Sequence, residues 1–256
     1  MNLILSDNKN RNNLLPLTFT RPMAGLRVGI LNITERWSKI VDSSISFLTE
    51  DYLQNKYPLL KKEENLIVDA GILPNMEFVK HIQHLTLNEA IVSGDRVLAA
   101  MVPDHLVKPV HELSVQGLKC KELSSFSEIE FTFDIFRLNG EMIQYDFELL
   151  TKNNISEKLS DSNQVIGDGN IFLEKGAVVE GAVINVKNGP VYIGKDAEVM
   201  EGCLVRGPVA LCEHAVLKMG AKIYGPTTIG PHSKVGGEIN KSVFTGFSHE
   251  AHDGFL

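Results

Sequence analysis

Two aspartates stand where a carboxylate could meet a nucleotide or a cation: Asp7, just after the apolar run Leu3-Ile4-Leu5, and Asp69, which closes Leu66-Ile67-Val68. Short apolar runs of this kind read as buried strands, and in open α/β sheets ligands collect beyond the carboxyl ends of the strands. A strand-end aspartate also commonly caps the following turn with its side chain, so both readings stay open. After Asp7 come Asn8, Lys9, Asn10, Arg11, Asn12 and Asn13, with no glycine among them. Those side chains could hold phosphate or could form an ordinary solvated loop. His81, His84, His105, His111, His214, His232 and His249 share no metal-ligand spacing and read as surface residues. Cys120, Cys203 and Cys212 lack such spacing too, and Cys203 reads as a packing residue.

The elements that must position these groups alternate between strand and helix. Asn2 to Ser6 is the first strand, and Glu64 to Asp69 is a later one. Asn32-Ile33-Thr34-Glu35 resembles a capping box, with Asn32 or Thr34 as the cap of a helix carrying Trp37, Ile40 and Val41. Met76 to Leu85 predicts a helix with Val79, Ile82 and Leu85 on one face, and Ala90 to Val102 a hairpin turning at Ser93-Gly94-Asp95-Arg96. Asp134, Asn139-Gly140-Glu141 and Asp146 read as part of a further hairpin leading to a linker, with carboxylates at the surface and no assigned role. An α/β domain over residues 1–160 is the expectation.

Residues 161–256 follow a different rule. Ile193, Val199, Val205, Leu211, Leu217, Ile223, Ile229 and Val235 recur at every sixth position. Four residues after each come Ala197, Cys203, Val209, Ala215, Ala221, Thr227, Ser233 and Ile239, of which only Ile239 is bulky. No α-helix keeps every sixth residue on one face, whereas short flat strands turning on small inward residues do, as in a parallel β-helix. Leu173 and Val179 fit the same template, Ile166-Gly167 reads as an opening strand, and the frame slips across Val186 to Pro190. Lys218, Lys222 and Lys241 fall on or near outer faces, where they could attract phosphate or simply be solvated.

Composition bounds the function. With 256 residues, 43% hydrophobic and 22% charged, the chain can bury two cores. A net charge of -7 argues against nucleic acid as a partner. Leu3-Ile4-Leu5 is too short for a signal segment and no run approaches a membrane span, so a cytoplasmic location without membrane contact is expected.

Leu15-Pro16-Leu17-Thr18 followed by Arg21-Pro22 resembles the proline-leucine-threonine segment of sugar-phosphate nucleotidyltransferases. That domain joined to a left-handed parallel β-helix of hexapeptide repeats is the arrangement of the bifunctional N-acetylglucosamine-1-phosphate uridylyltransferase/glucosamine-1-phosphate acetyltransferases. The whole chain is similar to a shorter bacterial version of that family. The resemblance implies a nucleoside triphosphate, most expectedly UTP, and a sugar 1-phosphate, N-acetylglucosamine 1-phosphate, as substrates. It implies Mg²⁺ held at Asp69, nucleotide contacts from Asp7, Arg11, Thr18 and Arg21, and a catalytic phosphate role for Arg21. The family's lysine after the proline is Met23 here, and an arginine offers a bidentate fork where a lysine is a point charge. Ser248-His249-Glu250-Ala251-His252 resembles the acetyltransferase stretch, which implies His252 as the base that deprotonates a sugar amine, acetyl-coenzyme A as co-substrate, and a homotrimer. Phe255 stands where that family has a tyrosine, and the β-helix is expected to be clipped at its carboxyl end. Two alternatives remain: a thymidylyltransferase-like enzyme with a purely structural β-helix, and a catalytically silent sugar-nucleotide-binding or assembly protein.

Overall fold

A computed structural model describes residues 2–250. They form two compact units, one running to Leu26 and continuing as Asn32–Asp134, the other combining Arg27–Leu31 with Ile135 onward.

The first unit is built on a six-stranded mixed sheet. Its strands are β1 (Asn2–Ser6), β2 (Ser44–Leu48), β3 (Glu64–Asp69), β5 (Glu89–Ser93), β6 (Arg96–Pro103) and β7 (Lys119–Glu122), in the order β2-β1-β3-β6-β5-β7; a short β4 (Ile72–Leu73) pairs apart from it with β8 (Ser127–Glu128). All five residues of β1 are buried, as expected of a strand flanked by parallel neighbours on both edges. One face packs Ile4, Ile67, Ala90, Val97, Ala100 and Val110. Helix α1 (Ile33–Ile40) starts on a full capping box: Asn32 Oδ1 accepts from Glu35 N, and Glu35 Oε2 accepts from Asn32 N, both at 2.8 Å. Asn32, not Thr34, is thus the cap. Helix α2 (Met76–Gln83), capped by Asn75, buries Phe78 and Ile82, with Val79 only half-buried. The face shifts because Phe78 meets the Trp37 ring edge-on at 6.2 Å.

Glu89 supplies an acid-sensitive tie at the rim of this sheet. It accepts from Thr86 N at 3.0 Å and meets Lys119 Nζ at 3.0 Å and Lys121 Nζ at 3.1 Å. The Thr86 N–H first, then the two lysines, pull its carboxyl from 4.5 to about 2. A lowered acid stabilises above the unfolded value and loses that contribution as pH falls from 4.5 toward about 2. Urea midpoints measured across that window are expected to fall with pH in the parent chain and to fall less in Glu89→Gln.

The second unit is a left-handed parallel β-helix with an accompanying helix. Its short strands stack into three parallel sheets of five, four and five strands. Inside runs the predicted aliphatic row, and the small row beside it, Ala197, Cys203, Val209, Ala215, Ala221, Thr227 and Ser233, is at most 1% exposed. Ile239 departs from the expected frame: it lies opposite Ile223 in the aliphatic row, not in the small row. The turn at Gly236-Gly237 is two residues shorter than the hexad requires, which is why the one bulky member of the small row was never in it.

Residues 132–151 are helical where a hairpin was expected. They form α3 (Thr132–Arg137) and α4 (Asn139–Thr151), and Asp134 and Asp146, expected at the surface, are 2% and 0% exposed. Asp134 Oδ2 accepts from the Glu130 and Phe131 amides at 2.9 Å. Helix α4 lays Ile143 and Phe147 against Phe172, Tyr192 and Ala210 on an outer face of the β-helix. Asp146 Oδ2 accepts from the backbone of Ile30 at 2.9 Å and Leu31 at 3.0 Å, and Asn139 Oδ1 from Gly29 N at 2.8 Å. A Cβ on Gly29, whose φ is +86°, would lie 2.5 Å from that Asp146 oxygen, so only glycine fits the approach. Among the described residues no helix is long and apolar enough to cross a membrane.

Candidate functional site

The carboxyl ends of β1 and β3 lie side by side, with Ser6 opposite Asp69 in parallel register. The chain leaving β1 turns without glycine because Asn8 does the work with its side chain. Its Oδ1 accepts from Asn10 N at 2.8 Å and caps a 3-10 helix over Lys9–Leu14, while its Nδ2 donates to Asp69 Oδ1 at 2.6 Å. The demand for a small residue moves to the other strand: a Cβ on Gly71 would come within 2.7 Å of Asn8 Nδ2.

Asp7 is a buried anchor. Its Oδ1 accepts from Met23 N at 2.8 Å, and its Oδ2 from Thr49 Oγ1 at 2.5 Å and Arg11 Nε at 3.1 Å. Burial raises its carboxyl above the ordinary 3.8, against the pull of those three donors. Arg11 is spent on the same framework: its Nη2 donates to the Thr18 carbonyl at 2.6 Å and to Tyr52 Oη at 2.8 Å. The Thr18 hydroxyl donates back to the Arg11 carbonyl at 3.0 Å. Asp7, Arg11 and Thr18 are therefore brought together as the tie that shapes the loop. Arg21 sits half-buried on the bend that follows and is not among the residues lining either cavity.

Asp69 both caps the next turn and holds a charge partner. Gly71 N donates to Oδ1 at 2.8 Å, and Arg96 Nη2 donates to Oδ2 at 2.9 Å. The same Nη2 meets Glu128 Oε2 at 2.6 Å, and the guanidinium lies 5.9 Å from the Phe126 ring centre. Burial pushes the Asp69 carboxyl up, while Arg96, Gly71 and Asn8 pull it down. Arg96's own burial works against its charge, yet Glu128 and Asp69 hold it above its ordinary value. With only donors facing Asp69, the ion pair is the state the geometry supports. Glu130 is raised, chiefly by its hydrogen bond with Glu128.

Two adjoining cavities open here. One of about 290 Å³ is lined by Asn8, Lys9, Asn10, Asp69, Asp95, Arg96 and His111 among others. The second, about 240 Å³, shares Asn8 and His111 with it and adds Asp7, Arg11, Thr49, Glu50 and Asp51. His111 reaches both because Val110 N donates to Ser6 Oγ at 3.0 Å and hangs its loop on the end of β1. His111 is exposed, as the sequence predicts, but its place on both cavities was not anticipated, and Arg96 was missed. Arg96 was findable: a hairpin turning at Ser93 to Arg96 next to an antiparallel β3 returns that residue to the end of the sheet where Asp69 lies.

Mg²⁺ asks for near-octahedral oxygen ligands at about 2.0–2.1 Å. The Asp69 residue is 1% exposed, its Oδ1 takes two donors, and a guanidinium sits on its Oδ2. Among the described residues no three His, Cys, Asp or Glu side chains are placed to hold a metal. The residues present do not fit a metal ion bound directly at Asp69. His252 and Phe255 lie outside the described residues; of their neighbours, His249 Nε2 is 3.0 Å from Lys218 Nζ.

A strand-end site with lysine, arginine and histidine around a cavity suits a phosphate-bearing ligand. No curated protein matches the chain. The family model described as "Sugar nucleotidyl transferase" matches residues 3–155, which takes in every residue of both cavities. That span is more than half of the 256 residues, and the chain belongs to the sugar nucleotidyl transferase family.

Proposed function

We propose that the chain transfers a nucleotidyl group from a nucleoside triphosphate to a sugar 1-phosphate, with UTP and N-acetylglucosamine 1-phosphate as the first pair to test. The observation that carries this reading is the cavity at the ends of β1 and β3, which Lys9, Arg96 and His111 line beside the fixed carboxylate of Asp69. In this reaction a phosphate oxygen of the sugar 1-phosphate attacks the α-phosphorus, the bond from that phosphorus to the bridging oxygen breaks, and pyrophosphate leaves. Lys9 and Arg96 meet the phosphate charge, and the second cavity offers Glu50 and Asp51 as acceptors for sugar or ribose hydroxyls. Asp7, Arg11 and Thr18 fix the loop that carries Lys9 and Asn10. Arg21, which lines neither cavity, enters as a phosphate ligand on the sequence resemblance alone.

Acetyl transfer through His252 from acetyl-coenzyme A, between subunits of a homotrimer, is a separate proposal resting on the sequence resemblance; its loss in His252→Ala tests it. A second reading, a silent sugar-nucleotide binder, is favoured by the engagement of Arg11 with Asp7 and by the acidic lining of the second cavity.

The test is pyrophosphate release from a panel of nucleoside triphosphates and sugar 1-phosphates. Turnover is expected to fall about 100-fold or more in Asp69→Ala, which frees Arg96 from its position. It should persist in Asp161→Ala, whose side chain is 88% exposed. Binding of nucleotide without turnover in any pair would select the silent reading.

A further inference from the structure

The Asp69 carboxylate already carries a cation, and that cation is a side chain. Arg96 Nη2 lies between Asp69 Oδ2 at 2.9 Å and Glu128 Oε2 at 2.6 Å. The guanidinium is packed near Phe126 and its side chain is 28% exposed toward the cavity that it lines with Lys9 and His111. Among the described residues nothing accepts from its Nε or Nη1, so one nitrogen balances the two acids while the others keep N–H donors to spare. Lys9, on the same cavity, is exposed and makes no ion pair with a described residue.

We propose that Arg96 occupies the place of a divalent cation at the end of β3, so that this chain binds a nucleoside triphosphate without Mg²⁺. A metal at a phosphate site neutralises the carboxylate behind it and the oxygens in front of it. Arg96 does both: Nη2 faces the acids, and the remaining donors face the phosphate oxygens. It is always charged and is held by two carboxylates beside the Phe126 ring, which suits it to a fixed anion site. The inference rests on the reading of this cavity as the nucleotide site.

The test is calorimetric titration of the full chain with UTP, and with ATP, GTP, CTP and dTTP, in Mg²⁺ and in EDTA. Metal-independent binding predicts dissociation constants in the two buffers within about threefold, and a loss of about tenfold or more in EDTA for Arg96→Gln, the size of one charge-assisted hydrogen bond. Removing the guanidinium also frees Asp69 and Glu128, so binding by Arg96→Gln should become dependent on Mg²⁺. A parent chain that binds nucleotide only with Mg²⁺ overturns the inference and leaves the nucleotide site standing. Failure of every nucleotide in both buffers overturns the site as well. A second measurement follows the metal itself: Mn²⁺ added to the parent chain is expected to keep the spin-resonance spectrum of the free ion. A tightly bound Mn²⁺ that disappears in Asp69→Ala would overturn the proposal.

Discussion

Asp146→Ala is expected to cost the second unit about 4 kcal/mol, although Asp146 faces neither cavity. Its Oδ2 is the shared acceptor for the amides of Ile30 and Leu31, and the residue is fully buried. Truncation leaves the buried Ile30 amide and the part-buried Leu31 amide without that acceptor, at about 1–3 kcal/mol each, and opens a void beside Met142. Asp146→Asn keeps the shape and one acceptor oxygen and should recover part of the loss. Because the chain has two units, a single unfolding free energy is a poor readout, and amide exchange is better. Ile30 and Leu31 should lose protection while the amides of β1 and β3 keep theirs. Unchanged protection at those two amides would contradict the anchoring role. Asp146 is accordingly unsuitable as a neutral control for turnover, however plainly it reads as a surface acid.

The contrast between what was legible in the sequence and what was not follows from how each element buries its residues. The β-helix announced itself because every coil repeats one geometry, so side-chain size is imposed again and again along the row from Ile193 to Val235. Its one misread member, Ile239, sits after Gly236-Gly237, where glycine permits a shorter turn without leaving a trace in side-chain size. Strands β1 and β3 were plain because both faces are buried and the runs are continuously apolar. Helix α4 was hidden by its own function: Asn139 and Asp146 occupy buried positions on its packing face, and polar residues there break the apolar period that marks a helix.

The site divided along the same line. Asp7 and Asp69 were visible from position on their strands. The partners that decide what those carboxylates do were not: Arg96 and Thr49 come from two other stretches of chain, and Asn8, next to Asp7 in sequence, reaches Asp69 only through the register of β1 and β3. The glycine-free loop, which on sequence alone could hold phosphate or be an ordinary solvated loop, turns out to be braced by Asn8, with the close approach supplied by Gly71.

Ile229→Asp is expected to be the most damaging single change in the β-helix, at about 5 kcal/mol or more. Ile229 is 0% exposed and stacks between Leu211 on one coil and Phe244 on the next. The substitution removes apolar contact with both and places a carboxylate in an apolar core cluster. Ile229→Val, which only trims a methyl group, should cost about 1 kcal/mol. Coils in a solenoid touch only their neighbours, so the damage should stay local. Exchange protection is expected to collapse from about the Val209–Leu211 strand onward, while the strands at Gln164–Ile166 and Val183–Asn185 stay protected. Uniform loss across every coil would show instead that the stack folds as one cooperative block. The outcome also bears on the nucleotide site: if the coils are additive, the Arg96 ion pairs and UTP binding should survive a frayed β-helix, because every residue of both cavities belongs to the first unit.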